Sequence, residues 1–168
     1  TEGQTPSDKD GAAVKADKPE CQPIADVSSP KPAIGWSASV SRTLIRANAE
    51  KGSATVVFLR VSAYRPGQAK KVMSELRDAL KDCDSFAVKD GDDRAVKVEE
   101  AGAPRLGDEA VAFTTTTADG QSPQMTVVRV GSDTVMATGV DFTGEPVGVL
   151  RSIVRKQVDK LRNPSAGR

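Results

Sequence analysis

The chain has 168 residues and a mass of 17.6 kDa, with 38% hydrophobic residues, 28% charged residues and a formal net charge of +1 at pH 7. That length predicts one domain, and near-neutral charge with only 4% aromatics removes the basic field and the stacking platforms on which nucleic-acid binding depends. Histidine is absent, which excludes His-based triads and most zinc sites, and no apolar run is long enough to span a bilayer.

The opening is rich in Gly, Pro, Ser, Asp and Lys and carries almost no large apolar groups, so residues 1–20 are expected to be a flexible tether. A single domain is expected over 21–162, followed by a C-terminal tail at 163–168. From Cys21 to Pro32 the chain reads as a strap or short helix centred on Pro23-Ile24-Ala25-Asp26-Val27, too poor in apolar groups to stand alone. Cys21 and Cys83 are the only cysteines. Cys21 lies in a Pro-rich stretch where a buried thiol would be poorly held, and Cys83 closes a predicted helix, so a disulfide between strap and helix is the favoured reading. Two buried thiols in a reducing compartment are the alternative.

Alternation begins at Trp36 and runs through Ala38, Val40, Arg42, Leu44 and Arg46; a second run spans Ala54 to Val61. Gly52 in the intervening turn accepts positive φ, so the two runs predict an antiparallel hairpin. Pro66-Gly67 then opens a helix over Gln68–Asp82, with Val72, Met73, Leu76, Ala79 and Leu80 recurring every three or four residues and charged residues facing outward. Four more strands are expected: Phe86–Val88 or Ala95–Glu99, then Glu109–Thr117, Gln124–Val130 and Thr134–Phe142, separated by Asp- and Gly-rich turns. A last amphipathic helix starts near Pro146, carries Val147, Leu150, Val154, Val158 and Leu161 on one stripe, and stops at Asn163-Pro164. The predicted fold class is α+β, a mostly antiparallel sheet with two amphipathic helices packed on one face and the other face open. Six basic residues and one acid lie between Arg151 and Arg168; offsetting a helix dipole explains them before any polyanion does.

Catalytic chemistry finds little support in these residues. Ser28 and Lys31 have the Ser-x-x-Lys spacing, but Pro30 between them breaks the helix that the pair would need. Asp90, Asp92 and Asp93 offer hard oxygens without the further ligands and late glutamate of a calcium loop, so they read as a solvated turn. Asp108 and Glu109 are neighbours on a strand and point to opposite faces, which argues against a paired-carboxylate site; Asp108 reads as a cap on the turn after Gly107. No phosphate-loop glycine pattern is present. The expectation is therefore a non-enzyme with no catalytic, cofactor or metal residues. The candidate binding face comprises Trp36, Arg42, Arg46, Arg60, Tyr64 and Arg129, with core or rim packing for the tryptophan and edge protection for the arginines as the plainer alternatives.

Five features carry a family resemblance: the Cys21 strap, the helix end Leu80-Lys81-Asp82-Cys83, Leu106-Gly107-Asp108-Glu109-Ala110 leading into a strand, Val127-Val128-Arg129-Val130-Gly131, and the terminal helix. Over residues 21–162 the chain resembles the extracytoplasmic sensor domain of PknH-type mycobacterial receptor kinases and related actinobacterial envelope lipoproteins. The resemblance implies a secreted, membrane-anchored signalling domain whose first 20 residues space it from a lipidated cysteine upstream, on the outer side of the cytoplasmic membrane. It implies non-catalytic binding of an envelope component or partner protein, with a sensor kinase in cell-envelope stress signalling as one such partner. Membrane contact would run only through that lipid anchor. The kinase sensors carry two disulfides and this chain has cysteines for one, so pocket details do not transfer. A structural envelope protein or a small-ligand carrier is the alternative.

Overall fold

The computed structural model describes residues 11–48, 52–89, 93–141 and 151–164, without the side chains of Arg46, Ala47, Asn48, Ser53 and Asp141. A 3-10 turn at Pro19–Cys21 leads into α1 (Gln22–Ser28), then β1 (Ala38–Asn48), β2 (Ser53–Ala63), α2 (Gln68–Asp82), β3 (Ser85–Val88), β4 (Arg94–Ala101), β5 (Glu109–Thr117), β6 (Gln124–Val130), β7 (Asp133–Asp141) and α3 (Arg151–Arg162). Among the described residues the strands form one seven-stranded sheet in the order β1-β2-β7-β6-β5-β4-β3, antiparallel throughout. The expected α+β class with an antiparallel sheet is thus what the chain forms. Phe86 and Ala95, weighed as alternative strand positions, fall on β3 and β4, which pair with each other. The predicted start of the last helix, near Pro146, lies outside the described residues.

The local rules behind these elements are visible. Gly52 holds φ +59 in the turn joining β1 to β2, a conformation that side chains with a Cβ resist. α2 buries Ala69, Met73, Leu76 and Ala79, a stripe spaced four, three and three residues apart that keeps one side of the helix against the sheet. Truncating Met73 or Leu76 would open a cavity and cost about 2–5 kcal/mol.

The two long helices do not share a face, which corrects the expected arrangement. Adjacent strand residues point to opposite sides, and Val127 belongs to a cluster with Met73, Leu76, Val111 and Phe113, whereas Val128 belongs to one with Val135, Ala137, Val154 and Val158. α1 and α2 therefore cover one side of the sheet and α3 covers the other, over β6 and β7. The reason is that the central strands are apolar on both sides, and an apolar face left wet costs roughly 25 cal/mol per Å².

Residues 14–20, the last part of the expected tether, are docked on the domain. Ala16 bridges Val88, Lys89 donates its amide to Lys15 O at 2.8 Å, Asp17 donates to Ala87 O at 2.9 Å, and Val14 and Ala16 pack against the core. Residues 1–10 and 165–168, which hold the rest of the expected tether and tail, lie outside the described residues.

Cys21 and Cys83 are bonded, with their Cα atoms 5.5 Å apart, so the strap is fastened to the end of α2 as the sequence suggested. The bond closes a loop across 62 positions, which restricts the unfolded chain and adds about 2–5 kcal/mol. Replacing both cysteines by serine should lower the unfolding free energy by about that amount in chemical denaturation, and amide exchange should accelerate first over residues 14–29. Unchanged stability in the double variant would mean that the bond constrains nothing that packing does not already hold.

Candidate functional site

A concavity lies between the strap, α2 and the sheet. Pro23, Asp26 and Val27 of α1 form one wall, Pro32 and Ile34 the lip, and Val72 and Glu75 of α2 the opposite wall. Arg60, Tyr64, Thr134, Met136 and Val127 make the floor. Register puts Arg60 opposite Met136, and Met136 opposite Val127, so the floor is one continuous row across three strands.

Arg60 is the centre of this arrangement. It is buried, and its guanidinium donates to Ser29 O at 3.1 Å and to Val27 O at 2.5 Å. Those carbonyls end α1, where a helix has no internal partners for its last oxygens, and Pro30 has no amide proton with which to continue the chain. The Trp36 ring lies 4.4 Å from the guanidinium carbon, a cation–π contact that also shields the group from solvent. Tyr64 sits beside them. Burial pushes its phenol above the usual range, partly offset by a hydrogen bond with Thr134 and by the Arg60 charge, so it stays neutral at physiological pH.

Asp26 is committed to structure. Its Oδ1 accepts from Gln22 Nε2 at 2.7 Å and its Oδ2 from Ala33 N at 3.0 Å, which fixes the lip of the cleft. Glu75 pairs with Lys71 at 3.6 Å on the exposed side of α2. No two carboxylates converge with a nucleophile here. Counted to its open mouth the cleft is about 480 Å³, but its free interior is about 40 Å³. That is room for a few waters, against the ~300–1,000 Å³ of a pocket that encloses a small molecule. The geometry suits the tip of a side chain or a small polar group.

The proposed face of six residues divides. Arg60 and Tyr64 line the cleft, and Trp36 adjoins it through its contact with Arg60. Arg42 is exposed on the opposite side of the sheet, by the alternation that separates it from Ser41 and Arg60. Arg46 pairs with Thr55 through the backbone, and its side chain lies outside the described residues. Arg129 lies on the cleft's side of the sheet but outside the cleft, in an ion-pair network, its Nε donating to Glu109 at 2.5 Å and its guanidinium to Asp108 at 3.2 Å. Sequence reasoning missed Pro23, Asp26, Ile34, Val72, Glu75 and Met136, which meet only after folding. Arg60 carried a signal, since an arginine inside Val-Val-Phe-Leu-Arg-Val is placed to be buried.

The network around Arg129 spans both sides of the sheet. Arg77 of α2 pairs with Glu109, and Arg162 of α3 reaches Asp108 at 3.4 Å. Although adjacent, Asp108 and Glu109 are joined through Arg129, whose guanidinium is long enough to bind both. Gly131 N donates to Asp108 at 2.7 Å, so this carboxylate clasps the β6–β7 turn rather than capping only its own. Gly107 makes that approach possible: at φ +66, a Cβ there would lie 2.4 Å from Arg129 O. The Gly131 amide, then Arg129 and Arg162, hold Asp108 below its ordinary value. Burial pushes Glu109 up, but hydrogen bonds from Arg77 and Arg129 outweigh it and leave the group lowered.

The remaining sequence candidates lead nowhere chemically. Ser28 Oγ donates to Ala25 O at 3.3 Å, within its own helix, and Lys31 is exposed. Asp90 and Asp92 lie outside the described residues, and Asp93 is exposed. Among the described residues no group of three or more His, Cys, Asp or Glu is placed to hold a metal, and no helix is long and apolar enough to cross a membrane.

No protein-family profile matches the chain, and no curated protein matches it in sequence. A solved structure does. In fold, this chain is similar to the extracellular domain of PknH from Mycobacterium tuberculosis, with a TM-score of 0.66, 16% identity, and coverage of 96% of this chain and 84% of that one. The likeness extends over nearly the whole chain and is one of fold.

Arg60→Met should destabilise the protein by roughly 2–4 kcal/mol, since two strap carbonyls lose a charged donor, and should shift the emission of Trp36, the only tryptophan; an unmoved spectrum would place the ring elsewhere. Glu109 has a lowered folded pKa, so its contribution is present above the unfolded value of about 4.3 and is lost as pH falls through the folded value. The melting-temperature gap between the native protein and Glu109→Gln should therefore be open at pH 7 and narrow as pH falls below about 4. A gap independent of pH would remove the carboxylate from the account.

Proposed function

We propose that this chain is a non-catalytic extracytoplasmic sensor or regulatory domain that binds an envelope component or partner protein at the Arg60–Tyr64 cleft. The observation that carries the reading is the fold likeness to a receptor-kinase extracellular domain over 96% of the chain. The cystine supports it, because such bonds persist in oxidising compartments. The small free interior of the cleft favours a partner's side chain over an enclosed small molecule, which places a carrier role second and partner recognition first. Tethering through a lipid anchor upstream, on the outer side of the cytoplasmic membrane, and a role beside a sensor kinase in envelope-stress signalling belong to the same reading. The face offered to the partner is Trp36, Arg60 and Tyr64; Arg42, Arg46 and Arg129 are not part of this cleft.

Two measurements in the native cell test this. Thiol trapping should find Cys21 and Cys83 oxidised, and a photoreactive residue in place of Ile34 at the cleft lip should give a discrete protein adduct on intact cells. The same photoreactive group in place of Lys97, on a distant strand, should not. Free thiols in the native cell, or adducts that do not distinguish Ile34 from Lys97, would count against export and against the cleft respectively.

A further inference from the structure

The two edges of the sheet are treated differently. β3 is only four residues long, Ser85–Val88, and the segment before α1 covers it. Besides the Lys15 and Asp17 backbone bonds already described, Ala87 N donates to Asp17 Oδ1 at 2.7 Å and Lys18 Nζ to Ser85 O at 2.8 Å. Such short, covered edges are how soluble sheets avoid unwanted strand pairing.

The β1 edge has few of these protections. Among the described residues β1 is the outermost strand, and its 11 residues pair with β2 in unbroken register, with no bulge to twist the edge away. Ala38–Asn48 contains no Pro, Gly or Lys. Large apolar side chains stand exposed on both sides of it: Val40 at 53% and Leu44 at 43% on the α3 side, Ile45 at 71% on the other, next to Phe58 of β2 at 43%. A further strand laid along β1 would bury apolar surface on both of its faces at once, something a contact with a single sheet face does not achieve.

Charge identifies what such a strand carries. From Val27 to Ala49 the sequence holds Lys31, Arg42 and Arg46 and no carboxylate, and β2 holds no carboxylate either. Arg42 is exposed and has no ion-pair partner among the described residues. Two copies joined through β1 would bring arginines together with no acid to offset them, and like charges across a strand pair are unfavourable. We propose that β1 is a docking edge for an extended acidic segment of a partner protein, which adds to the sheet as an eighth strand with its carboxylates beside Arg42 and its apolar residues beside Val40 and Leu44. Backbone pairing supplies the attachment and the alternating Val-Arg-Leu row supplies the selectivity. This surface is separate from the cleft, so it stands or falls independently of the function proposed there.

The test uses a capped peptide as long as β1 with alternating Glu and Val, and its Lys–Val counterpart. The acidic peptide should bind saturably at low salt, weaken by about tenfold or more with Arg42→Glu and with added salt, and slow amide exchange in residues 39–45. Arg42→Glu should reverse the preference between the two peptides. Because Arg42 is exposed and unpaired, its variant should melt like the parent; Leu44→Asp, which leaves Arg42 in place, gives a second reading and should also weaken binding. The proposal is overturned if neither peptide binds, if both bind alike, if protection appears away from β1, or if the protein alone is a dimer whose β1 amides are already protected.

Discussion

A buried guanidinium holds the strap to the sheet, and the cleft exists because of it. α1 buries only Ile24, Ala25 and Val27, too little apolar surface to order a separate segment against its loss of conformational entropy. The cystine fixes the front of the strap and Arg60 fixes its end, so the segment is constrained at both extremities, and between them Ile24, Ala25 and Val27 pack into the core shared with α2. Burying this guanidinium requires acceptors in the right places, and the two carbonyls at the end of α1 are free to serve because no helix bonds reach them. Each group offsets part of the other's cost of desolvation.

The rest of the architecture is more symmetrical than a one-sided α+β layer. The sheet has a helix-covered core on each side, and the Arg77–Glu109–Arg129–Asp108–Arg162 chain ties the helix of one side to the helix of the other. Most of these groups are partly exposed, so each pair is individually weak, but Arg129 and Glu109 are well covered and each is held by more than one partner. The network gives the far part of the sheet a fixed geometry. Among the described residues the β1 edge, at the other margin, carries no such ion-pair network.

Much of this was legible in the sequence, and the failures have physical causes. The bounds of α2, β5 and β6 follow from periodicity and turn residues, and the hairpin from Gly52. An amphipathic stripe, however, tells only that a helix has a covered side, not which side of the sheet does the covering. The missing information lay in Val127-Val128 and Val135-Met136-Ala137, consecutive apolar residues that mark strands buried on both faces. The docking of residues 14–20 was hidden because it rests on backbone hydrogen bonds, which leave little trace in side-chain type. Three of the six candidate face residues meet at the cleft, and the apolar setting of Arg60 could have singled it out. Its companions from α1 and α2 are distant in sequence and ordinary in composition, so no local pattern announces them.

The strand order has a consequence for how the chain is made. β2 lies between β1, its neighbour in sequence, and β7, which begins at Asp133. Until β7 has emerged from the ribosome or from a translocation pore, the inner rim of the first hairpin is unpaired, and pairings this distant in sequence are slow to close. For that interval the nascent hairpin is open to association along β2, and vectorial synthesis makes the arrival of β7 the event that closes this side.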